Sequence, residues 1–246
     1  MKPKVGFYEL TGCAGDMLNI LNCEDQLLSL FDVVEVKSFA MASSAHDEDT
    51  ELDIAFVEGS VSTEENLHLL KRVREKSKIL VAVGHCAIFG GVQISENNWE
   101  ERLKKVYGDV NFIHTRPIPH EPLGMFVRVD AVIPGCPINK HQFLSAAGKL
   151  LLGTMPELYS FAVCAECKWK ENECLLMKGK ICLGPITRGG CGAICPTHNI
   201  PCIGCFGPVD EENVASEYKL LLEKGYSPEE LRNRMKIFGG KVREVK

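Results

Sequence analysis

Eight of the twelve cysteines in this sequence crowd into its last third, as Cys164-x2-Cys167-x6-Cys174-x7-Cys182 and Cys191-x3-Cys195-x6-Cys202-x2-Cys205. Thiolates at such spacings are soft ligands for iron–sulfur clusters or for zinc, and eight of them divide into two four-ligand sites. Cys195-Pro196 and Pro201-Cys202 carry the kind of proline punctuation found beside ligands in ferredoxin-type sites. Zinc is the competing reading, because four-cysteine zinc sites also use C-x2-C pairs. Here the two C-x2-C pairs stand at the outer ends with four thiols between them, which suits a zinc ribbon poorly and favours iron–sulfur chemistry.

Three more cysteines share one kind of position. Cys13, Cys86 and Cys136 each follow an expected strand, at 5–10, 79–83 and 130–133. In an open parallel sheet the carboxyl ends of the strands converge on a crevice, so three thiols distant in sequence would meet there. The alternative is that each is a small buried hydrophobe. A cubane cluster needs a fourth ligand. The first loop reads Thr11-Gly12-Cys13-Ala14-Gly15-Asp16, with Asp16 where a C-x-x-C pair would place its second thiol. A carboxylate there can ligate iron, or it can decorate the first turn of a helix, where negative charge is favourable. Glu9 and Glu58 are further carboxylate candidates. Eleven cysteines and Asp16 make enough ligands for three clusters, which leaves Cys23, inside a helical pattern, for packing.

The elements that must position these groups alternate along the first 157 residues. Strands are expected at 5–10, 33–38, 52–58, 79–83 and 130–133, and helices at 16–31, 63–76, 99–107 and 142–152. The ILVAV run at 79–83 is of the kind that a parallel sheet buries on both faces. This alternation predicts an α/β fold, a doubly wound parallel sheet. A second, irregular domain is expected over 158–246. Its cysteine-bearing stretch is rich in Gly and Pro and without period, so that little apolar core and organisation by metal are expected. Two polar helical patterns follow at 210–224 and 227–238.

The 246 residues carry 28 Lys and Arg against 33 Asp and Glu, a net charge of -5 that argues against a nucleic-acid partner. No apolar stretch reaches the roughly 18 residues that cross a bilayer, and the first ten residues show no export signal. A cytoplasmic location is therefore expected, and a reducing compartment makes clustered cysteines metal ligands rather than disulfides.

The segments GFYELTGCAGD (6–16), DIAFVEGSVSTEE (53–65), KILVAVGHCAIFGGV (78–92), VIPGCP (132–137), and CAEC through CLGPITRGGCGAICPTHNIPCIGCFG (164–207) together resemble the small subunit of nickel–iron hydrogenases. The likeness is to the delta subunit of cytosolic sulfhydrogenase-type enzymes and the gamma subunit of deazaflavin-coenzyme-reducing ones. The resemblance implies a flavodoxin-like domain with a proximal cluster at its strand ends, then a domain with medial and distal clusters, all three 4Fe-4S. Cys13, Cys86 and Cys136 match proximal ligands. The family pattern C-x-G-C reads C-A-G-D here, so Asp16 replaces a family cysteine; carboxylate ligation, a three-ligand cluster or completion by solvent are the readings this leaves. Cys164, Cys167, Cys174 and Cys182 match the distal group, with Cys164 where membrane-linked relatives have histidine. Cys191, Cys195, Cys202 and Cys205 match the medial group. Glu58 matches an acidic residue near the proximal cluster, its other reading being a strand-end carboxylate facing solvent. The implied function is electron relay between the nickel–iron centre of a separate large subunit and a flavin-containing subunit, with a further iron–sulfur subunit as an additional partner. No catalytic residue is expected in this chain, whose seven histidines are scattered, with His85 alone on its loop beside Cys86. The turn at Thr187-Arg188-Gly189-Gly190 is either a linker or a tuning element for the clusters. Two rivals are a flavodoxin-like FMN protein with a zinc-binding tail and a quinone-reductase-type subunit of the same superfamily. A carboxylate in the TGCAGD loop disfavours phosphate, and the eight-cysteine tail speaks against the second.

Overall fold

The computed structural model describes residues 2–44, 46–47, 49–95, 99–108 and 116–238. Its elements are, in chain order, β1 (Lys4–Glu9), α1 (Gly15–Leu21), α2 (Asp25–Val33), β2 (Glu35–Phe39), β3 (Leu52–Glu58), β4 (Val61–Thr63), α3 (Glu64–Lys76), β5 (Ser77–Val83) and α4 (Gly84–Phe89). There follow α5 (Trp99–Tyr107), β6 (Pro117–Glu121), β7 (Ala131–Ile133), α6 (Lys140–Leu151), α7 (Val163–Trp169), α8 (Ile194–Thr197), α9 (Val214–Glu223) and α10 (Pro228–Lys236). Five strands run parallel in the order β2-β1-β3-β5-β7. Counted as a five-stranded sheet this is the flavodoxin-like order 2-1-3-4-5, with its switch point between β1 and β3.

Apolar side chains on both faces make the sheet. On one face Phe7 stacks on Phe39 and Phe56, with ring centroids 4.5 and 5.1 Å apart, and Phe143 of α6 meets Phe56 edge-on. Met17, Ile20 and Cys23 complete this layer. On the other face Tyr8, Val57 and Leu80 pack against Leu70 and Val73 of α3. Helix starts set the loops: Thr63 accepts from the Asn66 N–H at the head of α3, and Asn139 accepts from His141 and Gln142 at the head of α6.

Three expectations are corrected. The single helix over 16–31 is two helices, because Glu24 adopts φ +51 and the chain turns at Asn22–Glu24 before α2 begins. The polar helical patterns at 210–224 and 227–238 shrink to α9 and α10, and each buries apolar residues. Together with Val163, Leu175, Leu183 and Ile186, their Leu221, Leu231 and Met235 form a third hydrophobic cluster. The cysteine-rich segment therefore has a real apolar core, into which Cys182 and Cys202 are themselves packed. The antiparallel pair β4–β6 and the short helix α4 lie outside the expected elements.

Candidate functional site

The carboxyl ends of β1, β5 and β7 deliver Cys13, Cys86 and Cys136 to one crevice. The loop after β1 is fixed by Thr11, which exchanges backbone hydrogen bonds of 3.1 and 2.8 Å with Ser60. The loop after β5 is tied to the loop after β7 by the His85 N–H, which donates to the Gly135 carbonyl at 2.7 Å. Burial pushes the Cys86 thiol up, with Asp16, Cys13 and Glu58 adding to the effect. The Cys136 thiol is pushed up to about 12, first by burial, then by Asp16 and the thiols of Cys86, Cys205 and Cys13. All four residues of the expected proximal set are thus within electrostatic reach of one another.

Asp16 does not cap its own helix. Its Oδ1 accepts the Ile138 N–H at 2.8 Å and so fastens the loop that carries Cys136. Burial raises its pKa to about 6, against the lowering effect of that N–H. The helix is capped instead by Glu58, whose carboxylate accepts from the Met17 N–H at 2.7 Å and from the Asp16 N–H. Glu58 is 2% exposed, so the solvent-facing reading is wrong. Glu9 is half-buried and its Oε1 has no hydrogen-bond partner.

Two predictions arise here. Burial, then the charge of Asp16, lifts the Glu58 pKa to about 7. A raised carboxyl pKa contributes stability below about pH 4.5 that is lost as pH rises through about 7. In iron-free protein, Glu58→Gln is therefore expected to stabilise the fold at pH 8 by on the order of 3 kcal/mol and not at pH 4. Thermal melts at the two pH values check this; equal shifts at both would refute it. Second, Gly84 sits at φ +80, and a Cβ there would lie 1.7 Å from Asp16 Oδ2. Gly84→Ala is expected to cost at least about 2 kcal/mol and to reduce the iron content of the proximal site. Iron analysis and a melt check it, and a native value in both contradicts it.

The distal set lines a single cavity of about 100 Å³, with Cys164, Cys167, Cys174 and Cys182 all on its wall. The medial set lines a second cavity of about 500 Å³, in which Cys191, Cys195, Cys202 and Cys205 are joined by Cys136. Val163 and Pro196 belong to both walls and separate the two. Burial pushes the thiols of Cys164 and Cys205 up to about 12 and raises that of Cys202. Such thiols are neutral until a metal displaces the proton.

Close contacts link the sets in series. Cys136 shares the wall of the medial cavity, and its backbone N–H favours the charged form of the Cys205 thiol, joining proximal to medial. The Cys202 N–H donates to Cys182 Sγ at 3.3 Å, joining medial to distal. His85 Nδ1 lies 3.0 Å from the Cys205 carbonyl, adding a second tie between the first two sets. The 187–190 turn is both linker and site wall. The Arg188 guanidinium donates to the Tyr159 carbonyl and to Asp210, whereas the Thr187 hydroxyl reaches the Leu183 carbonyl and the Cys202 thiol. Cys23 lies in the sheet's core, away from all three sets.

Among the described residues no three His, Cys, Asp or Glu side chains converge closely enough to share one metal ion. The thiols of the distal and the medial set each line one cavity, and four thiolates about one space are the donor set that an iron–sulfur cluster takes. The donor set and the cavities therefore fit iron–sulfur clusters. Sequence reasoning missed Glu166, which stands between two cysteines of the C-x2-C pair; a lone acid inside such a pair was its only signal.

The family model of the NADH ubiquinone oxidoreductase 20 kDa subunit matches residues 13–150. The sulfhydrogenase 2 subunit delta of Pyrococcus furiosus is 38% identical over 240 residues, covering 96% of this chain and 98% of that protein. A subunit of the vhu F420-non-reducing hydrogenase of Methanocaldococcus jannaschii is 35% identical over 238 residues, covering 85% of this chain and 83% of its own length. Among solved structures, a chain of an NAD+-reducing [NiFe]-hydrogenase in the H2-reduced state superposes with a TM-score of 0.57. It is 29% identical, covering 64% of this chain and 95% of that one.

Proposed function

The chain belongs to the family of the NADH ubiquinone oxidoreductase 20 kDa subunit and is the small subunit of a nickel–iron hydrogenase, and on that premise we propose that it is a three-cluster electron relay. Residues 1–157 would form the flavodoxin-like domain with a proximal 4Fe-4S cluster on Cys13, Asp16, Cys86 and Cys136. Residues 158–246 would hold a medial cluster on Cys191, Cys195, Cys202 and Cys205 and a distal one on Cys164, Cys167, Cys174 and Cys182. The single observation that supports this order is the serial adjacency: Cys136 of the proximal set lines the medial cavity, and the Cys202 N–H of the medial set donates to Cys182 Sγ of the distal set. The clusters supply one-electron redox chemistry. The chain's own residues fix the spacing, exclude water from Cys202 and direct backbone N–H groups at the sulfurs, which tunes the potentials.

The proposed donor and acceptor are a nickel–iron large subunit at the crevice and, beyond the distal site, a flavin-containing subunit or a further iron–sulfur subunit. Cys13 of the proximal set and Cys174 of the distal set are both exposed, so each end of the proposed series is open to a partner. Among the described residues no helix is long and apolar enough to cross a membrane, and action in a cytoplasmic complex is the proposed setting. The quinone-reductase alternative is disfavoured because the likeness to the sulfhydrogenase subunit runs through the eight-cysteine segment. Isolation of the native complex under anaerobic conditions tests the reading. Hydrogen should bleach the visible absorption of this chain only when a nickel-containing partner is bound. Absence of nickel from every complex that contains this chain would contradict it.

A further inference from the structure

Between the two distal ligands Cys164 and Cys167 stands Glu166, 8% exposed, and its carboxylate turns away from the distal cavity. Oε1 accepts the Gly190 N–H at 2.9 Å. Oε2 accepts the Ala193 N–H at 3.3 Å and lies 3.8 Å from Cys191 Sγ. The segment that receives it is conformationally unusual: Gly190, Gly192 and Ala193 have φ of +119, +67 and +47. Left-handed residues in such a turn bring neighbouring backbone N–H groups to one side and make an anion-binding concavity, here the Gly190 and Ala193 N–H groups about the two carboxylate oxygens. Here the anion is internal. For Ala193, which has a Cβ, the left-handed conformation carries strain that the hydrogen bond to Oε2 offsets.

The carboxylate therefore sits against one medial ligand while its own helix carries two distal ligands. A buried negative charge beside a cluster ligand opposes addition of an electron, because reduction makes the cluster more negative in a region of low dielectric. Buried carboxylates stand near the other two sets as well, Glu58 beside the proximal ligands and Glu217 within electrostatic reach of Cys164; Glu166 differs in tying the helix of two distal ligands to the medial loop.

We propose that Glu166 is a positioning residue for the medial site: it fixes the Cys191 loop from the distal helix and holds the medial potential below the value the same thiolates would otherwise give. The inference rests on the three-cluster reading and deepens it. It also assigns the α7 helix a second task, since any movement of the distal pair is passed by this side chain to the medial loop.

The test uses the native complex with Glu166→Gln, which keeps the shape and removes the charge, and Glu166→Asp, which keeps the charge on a shorter stem. The medial signal is assigned by its loss in Cys195→Ser protein, and all three potentials are followed by redox titration with electron paramagnetic resonance. In Glu166→Gln the medial reduction equilibrium is expected to shift at least about tenfold toward the reduced form, ~59 mV for one electron, with the other two unmoved and Glu166→Asp nearer native. Loss of medial iron alone from either variant also supports the assignment. Three unchanged potentials at native iron content, or uniform loss from all three sites, overturns it. Wild-type protein without iron would instead overturn the three-cluster reading, so the two failures are distinguishable.

Discussion

Replacing Cys202 with alanine is expected to cut hydrogen-driven reduction of the acceptor subunit by more than about 100-fold, beyond the 10- to 100-fold typical of outer-shell changes around a metal. Exchange of hydrogen isotopes at the large subunit should survive, because that chemistry does not pass through the relay. Cys202 is the most entangled of the proposed ligands. It is 6% exposed, its N–H donates to Cys182 Sγ, and its carbonyl accepts the Leu183 N–H at 3.0 Å. Its sulfur faces the Gly204 N–H and lies against Thr187, whose hydroxyl donates to the Leu183 carbonyl. Removing that sulfur leaves the Gly204 N–H without its partner, at roughly 1–3 kcal/mol for a buried group. Cys202→Ser keeps an acceptor for it and guards against simple unfolding. Both variants should lose about four irons per chain, the content of one cluster. Unchanged electron throughput in a variant that has lost this iron would contradict the series relay.

Asp16→Cys should keep the iron count and move the proximal potential negative, since thiolate donates more electron density to iron than carboxylate does. Asp16→Ala should both empty the fourth position and release the Ile138 N–H, so proximal iron falls. The same residue has a measurable effect without metal. Burial raises its pKa from 3.8 to about 6, so its contribution to stability is complete below about pH 4 and lost as pH passes 6. In iron-free protein at pH 8 a neutral Asp16→Asn chain should be more stable by on the order of 3 kcal/mol, a rise of about 6–12 °C in Tm. At pH 4 the two chains should melt together. This residue would then destabilise the empty fold while serving the loaded one, a pattern expected where function places a charge in a dry site. An unchanged proximal spectrum and potential in Asp16→Cys would remove carboxylate ligation and leave Asp16 as a loop fastener.

The parallel sheet was legible because β3 and β5 are near-continuous apolar runs and because Cys13, Cys86 and Cys136 mark three strand ends. What escaped lacks periodicity. Leu175, Leu176, Leu183 and Ile186 are scattered among Gly, Pro and Cys, so no helical or strand period announces that they pack under α9 and α10. The strand β4 has three residues and its partner β6 contains two prolines, which removes the usual strand signal. Helix α4 opens on Gly84, a poor helix former, yet only glycine fits against Asp16 there. The break at Glu24 falls inside a stretch whose apolar spacing continues on both sides, so the pattern alone runs the helix through it. At the sites, ligand spacing was visible in the cysteines, but the links between sets and the reach of Glu166 to Gly190 and Ala193 depend on tertiary contact.

Iron and acid-labile sulfide, counted per polypeptide in anaerobically isolated protein, bear most directly on the relay. Three clusters of the cubane type require about twelve of each, with no stoichiometric zinc. Colourless protein holding zinc, or no metal, at these cysteines would contradict it.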